Sequence, residues 1–109
     1  MAKFSHQNLA DGRWFTLTLA QQLGNAGSEV GRALNWQKKN NQEYFQKAAD
    51  RALELLDLTI ADARWHNRLT EIVRARNLTA DFFYGKNELN ETPERLEKYF
   101  YWFAVEARR

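Results

Sequence analysis

Cysteine is absent from this chain, and with it go disulfide frameworks, thiolate metal sites and cysteine nucleophiles. One proline and five glycines leave little punctuation, and what there is falls between segments of helical pattern. Long hydrophobic runs are missing as well. The longest uncharged apolar stretch, Tyr99 to Val105, is far short of the ~20 residues a membrane helix needs. The stretch from Met1 to Asp11 is polar and holds Lys3, so no secretory signal is expected. Neither charge dominates: 16 basic residues face 14 acidic ones, for a net charge of +2, which is no signature of nucleic-acid binding. Together these absences predict one cytoplasmic domain that neither crosses nor anchors to a membrane.

Large aromatics are plentiful: four Trp, four Tyr and seven Phe. Such side chains dominate cores and interfaces, and this load favours buried or stacking surfaces. No stretch alternates with period two, whereas four stretches carry apolar residues at helical spacing. A loose arm is expected over 1–16 and a helical domain over 17–109. Thr18 and Gln21 have capping-box spacing, and Leu19, Leu23, Ala26, Val30, Ala33 and Leu34 follow to about Lys39. Asn40 or Asn41 then breaks and re-caps the chain. A second helix is predicted from Gln42 to about Ala63, where Tyr44, Phe45, Ala48, Ala49, Ala52, Leu53, Leu55, Leu56, Thr59 and Ile60 occupy about half the circumference. The third runs from Trp65 to Tyr84 and stops at Gly85, read as a left-handed cap. The fold class expected is all-α, an antiparallel four-helix bundle.

Few residue sets carry chemistry. Gly24, Gly27 and Gly31 share one edge of the first helix, and each mid-helix glycine costs about 0.8–1 kcal/mol relative to alanine. Close approach of a neighbouring helix is the main reading. Asp50, Glu54 and Asp57 share a face of the second helix, but no histidine stands where a di-iron bundle places one, so a solvated acidic face is expected. His66 with Asp62 makes neither a metal site nor a triad. No catalytic constellation emerges, and no enzyme activity, metal or cofactor is expected. Arg76 falls within the predicted stripe Trp65, Leu69, Ile72, Val73, Ala80 and Phe83. It therefore needs a carboxylate such as Glu29 or Asp81, or a partner across an oligomer interface.

The segment from Thr92 to Arg108 is the most informative. Thr92 can cap a helix, Pro93 suits its first position, and Glu94 suits its first turn. Leu96, Tyr99, Phe100, Phe103 and Ala107 make a core stripe, while Tyr101, Trp102 and Val105 point elsewhere. One helix of a small bundle cannot bury both faces, so a second contact is implied. Arg95, Lys98, Trp102, Val105 and Arg109 fall within about 80° on a helical wheel. Bases interleaved with an aromatic suit single-stranded nucleic acid, and Trp, Tyr and Arg equally suit protein interfaces. Trp36 lies on the polar side of the first helix beside Lys38 and Lys39 and carries the same two readings.

From Leu17 to Asp62 the chain resembles the four-helix-bundle family of the large-subunit-rRNA intervening-sequence proteins and of the retroelement accessory variability determinant. Leu19, Gln22, Leu23, Ala26 and Ser28, the polar turn Lys38 to Asn41, and Phe45, Ala49, Glu54, Leu55 and Leu58 carry the resemblance. It implies a non-enzymatic bundle that assembles as a ring, typically a pentamer, with RNA or DNA and a reverse transcriptase as partners. Arg32, Lys38, Lys39, Arg95, Lys98 and Arg109 would then meet nucleic acid. The alternative is a pure interaction module, a dimeric adaptor or antitoxin-like protein, in which Tyr101, Trp102 and Val105 are buried by another chain.

Overall fold

A computed structural model describes residues 12–108, and among them the chain is helical with no strand. The elements are a short 3-10 helix Arg13–Thr16, then α1 (Leu19–Lys38), α2 (Gln42–Ile60), a second 3-10 helix Ala63–Arg68, α3 (Leu69–Tyr84) and α4 (Pro93–Ala107). Arg109 lies outside the described residues, as do residues 1–11 of the expected arm.

Local chemistry sets the helix starts. Thr18 accepts from the Gln21 amide at 3.1 Å while the Gln21 side chain accepts from the Thr18 amide at 2.8 Å, a reciprocal capping box. Asn41 accepts from the Tyr44 amide and Thr92 from the Arg95 amide, both at 3.1 Å. In the link before α2, Asn40 turns the chain with φ 58° and Asn41 re-caps it, so both asparagines are used.

Packed neighbours run in opposite directions. Trp36 touches Tyr44 near the link between α1 and α2, and Gln22 reaches Asp62 at the far end. Along α2 and α3, Phe45 meets Phe83 while Asp57 meets Arg76. Gly24, Gly27 and Gly31 of α1 face Ala104, Phe100 and Glu97 of α4 in that order. The core centres on α1 and α2, where Leu23, Ala26, Val30, Ala33, Ala49, Ala52, Leu55 and Leu56 are buried, with Ile72 and Ala75 of α3 and Leu96 and Phe100 of α4 added from the flanks.

The structure corrects four sequence expectations. The arm does not extend to residue 16, because residues 13–16 are helical and Trp14 is 0% exposed within the core. The third helix starts at Leu69, since Trp65 has non-helical φ/ψ and 63–68 is a kinked 3-10 segment. Arg76 consequently leaves the core stripe, which is Ile72, Ala75, Leu78, Thr79 and Phe83, and pairs at 3.0 Å with Asp57 rather than with Glu29 or Asp81. Gly85 is extended at φ −97° instead of left-handed, and the positive φ angles fall on Asn87 and Asn90. A Cβ at position 85 would sit 2.9 Å from the Asp81 carbonyl oxygen, so glycine is there for room. Asp81 in turn accepts from the amides of Glu88 and Leu89 and holds the link to α4.

Candidate functional site

The last helix is seated by what α1 lacks. Without side chains at Gly24 and Gly27, the backbone of Ala104 and the ring of Phe100 lie directly on α1, which buries Leu96 and Phe100. The expected close approach is thus met, and α4 packs chiefly on this one helix. Its other sides remain open. Tyr101 and Trp102 are 54% and 59% exposed with their rings edge to face at 6.0 Å, and Val105 is half-buried.

On the flank turned to α3, Tyr99 and Phe103 are half-buried, with ring centroids 5.7 Å apart. They line a groove of about 720 Å³ between α3 and α4, together with Val73 and Leu78 and the charged Glu71, Arg74 and Glu91. Burial pushes the Tyr99 phenol above its usual range, and the Glu71 carboxylate adds to this while Arg74 opposes it. Nothing in the apolar spacing of α3 or α4 taken singly announces this groove. It arises because α3 packs on α2 and α4 packs on α1, leaving the seam between them open.

The basic residues do not form one surface. Arg32 pairs with the buried Glu29 and lines a separate hollow with Arg13 and Trp14. Lys38 lies in a hollow with Glu94 and Glu97 of α4, so acids interrupt any basic stripe there. Lys39 stands 5.4 Å from the ring centroid of Trp36, which packs edge-on to Tyr44. Arg95 is held by Glu91 at 2.9 Å and by the Asn90 carbonyl, while Lys98 is exposed.

The acids of α2 face α3. Asp50 accepts from the Tyr84 hydroxyl at 2.6 Å and Asp57 from Arg76; both acids are exposed, as expected of a solvated face, and each has a partner on α3 as well. Burial and the Asp50 carboxylate both push the Tyr84 phenol well above its usual range. Among the described residues no three His, Asp or Glu side chains converge as a metal site would require. His66 is exposed on the 3-10 segment.

A buried polar cluster is built on Gln22, which is fully buried in α1. Its Nε2 donates to the Trp14 carbonyl and to Asp62 Oδ2, both at 2.9 Å, and its Oε1 accepts from Trp65 Nε1 at 2.8 Å. Arg64 closes the cluster through Asp62 at 2.7 Å and the Leu17 carbonyl at 2.6 Å. The sequence signal for it was a glutamine inside the apolar row Leu19, Leu23, Ala26, since a buried amide needs partners. These groups lie at the end of the bundle where the first 3-10 helix, α1 and the second 3-10 helix meet, and the cluster is a fastening for the fold.

Hydrogen bonding from Arg64 holds the Asp62 carboxyl down at about 2, against the usual 3.8, with burial opposing and Gln22 assisting. A depressed folded-state value stabilises the fold above the unfolded value and is lost as pH falls from about 4 to about 2. Asp62→Asn is therefore expected to melt well below the parent at pH 6, with the gap closing in melts run at pH 2. A gap independent of pH would show that the carboxylate charge is not what the cluster uses.

Among the described residues no helix is long and apolar enough to cross a membrane. Compared with known proteins, the chain matches no protein-family model, no curated protein and no solved structure.

Proposed function

We propose that this chain is a non-enzymatic helical-bundle accessory protein that works by assembling with copies of itself through α4. The observation that carries this reading is the exposure of Tyr101 and Trp102, at 54% and 59%, on a helix already seated by its opposite face. Adjacent exposed aromatics are of the residue types that act as interface hot spots, and their burial by a second chain supplies the contact one bundle lacks. Light scattering at two salt concentrations tests it. Trp102→Ala is expected to raise the dissociation constant about thirtyfold, as a hot-spot truncation of ~2 kcal/mol does. An apolar contact of this kind holds or tightens as salting-out ions are added. An unchanged mass in the Trp102 variant would remove the reading.

Nucleic acid is the second reading, favoured by one arrangement: Trp36 with Lys39 over its ring and Lys38 beside it at the end of α1. Its support is narrower than the sequence pattern implies, because Arg32 and Arg95 are engaged by Glu29 and Glu91. A reverse transcriptase as protein partner, like a pentameric ring, rests only on the family resemblance. Phosphate contacts weaken steeply with salt through counterion release, so a mobility shift at low salt that high salt abolishes would support this role. The absence of any shift with folded protein would exclude it.

A further inference from the structure

Of the exposed aromatics of α4, Trp102 lies beside the groove between α3 and α4, whereas Tyr101 is about 160° round the helix from Tyr99. Tyr99 and Phe103 form the α4 wall of the groove, and Trp102 follows Tyr99 at i+3, about 60° further round the helix. Lys98 precedes Trp102 by one turn, so a base and an indole stand together on the exposed side of α4, next to the helix edge that walls the groove. The groove offers the complement: apolar Val73, Tyr99 and Phe103 beside the Glu71 carboxylate. Glu71 pairs with Arg68, but both side chains are about half-exposed, at 42% and 53%. Such a pair is weakly held and leaves the carboxylate able to accept a second base. Arg74, also in the groove, disfavours a purely cationic visitor and leaves the indole as the main element to be received.

A surface that carries both a projection and its matching recess is self-complementary, and two copies related by a two-fold axis satisfy it twice over. No other molecule is needed to supply the basic–aromatic pair, because the chain carries that pair beside its own groove. We infer that the α3–α4 groove seats a second copy of this chain, whose Trp102 enters the groove and whose Lys98 meets Glu71, the exchange being mutual. This rests on the assembly reading above and adds where the partner sits, which residues meet, and that the closed assembly is a dimer.

The test uses charge reversal in the full chain. Lys98→Glu places like charges at both contacts of a homodimer, and so does Glu71→Lys. Each is expected to weaken self-association more than about tenfold by sedimentation equilibrium, since like charges juxtaposed at an interface are strongly disfavoured. An equimolar mixture of the two variants restores opposite charges at both contacts of the mixed dimer, so parental affinity is expected to return. Both positions are outside the buried core, and matched melting curves confirm that each variant folds. A parental dimer indifferent to both reversals, or a mixture as weak as its components, would overturn the groove as the seat while leaving assembly through α4 standing. A parental assembly larger than a dimer would overturn the two-fold, and a parental monomer would overturn both readings.

Discussion

Trp14→Ala is expected to cost about 3–5 kcal/mol of folding stability, the range for removing a fully buried Trp or Phe. Trp14 is 0% exposed and packs against the α1–α2 core from a four-residue 3-10 helix that makes few contacts of its own. In a domain of this size a loss of that order lowers the melting temperature by roughly 12 °C or more. Trp14→Phe separates packing from polarity. The indole Nε1 is buried and has no hydrogen-bond partner among the described residues, so replacing it by a phenyl edge removes an unsatisfied donor along with some area. The Phe variant should therefore lose much less than the Ala variant, about 1.5 kcal/mol or less, as for hydrophobic exchanges of similar volume. Gln22 donates to the Trp14 carbonyl, a backbone group that both variants keep, so the polar cluster does not confound the comparison. Urea unfolding read by circular dichroism measures all three proteins. A Trp14→Ala protein as stable as the parent would mean that the segment before Leu17 is an appendage after all.

That residue also shows where sequence reading stops. Periodicity needs several turns to register, and a single aromatic in a short 3-10 helix has none, so Trp14 was indistinguishable from the polar residues before it. The long helices were legible because their signals are local and redundant. The Thr18–Gln21 box, the Asn41 and Thr92 caps and the row Leu19 to Leu34 agree with one another before any tertiary contact is considered. Arg76 was misplaced for a definite reason. The predicted stripe was phased on Trp65 and Leu69 as if one helix ran through both, whereas the chain kinks at Trp65 and the core row is phased on Ile72, Ala75 and Thr79. One residue's error rotates a side chain by about 100°, enough to move an arginine from the core to the Asp57 side. For the candidate site, the exposure of Tyr101 and Trp102 followed from their place opposite Leu96 and Phe100 on the wheel. The α3–α4 groove did not, because it depends on which helix each one packs against, a tertiary choice that no single amphipathic pattern encodes.

The glycine row of α1 gives the other large expected effect, and with opposite signs at neighbouring positions. An alanine in place of a mid-helix glycine gains about 0.8–1 kcal/mol from backbone preference alone. At Gly31 the added Cβ would meet only Glu97 Oε2, at 3.6 Å, an ordinary contact with the end of a flexible side chain. Gly31→Ala should therefore stabilise the protein by most of that gain. At Gly27 the same Cβ would lie 2.5 Å from Phe100 Cβ and 3.2 Å from its Cγ. Phe100 is 2% exposed and cannot move aside, and α4 is held a turn further on where the Ala104 backbone rests on Gly24 at 3.3 Å from the corresponding point. Accommodating the methyl requires lifting α4 from α1, an overpacking that typically costs 1–3 kcal/mol and here exposes Leu96 and Phe100 as well. Gly27→Ala is expected to lose about 1–3 kcal/mol net, in spite of its better helix propensity. Because α4 also carries Tyr101 and Trp102, the same substitution should weaken self-association, whereas Gly31→Ala should leave it intact. Chemical denaturation and light scattering on the two variants decide the point. Equal stabilisation at both positions would mean that α4 is not seated on the glycines, and the exposed aromatic face would then lose the geometry on which its proposed role depends.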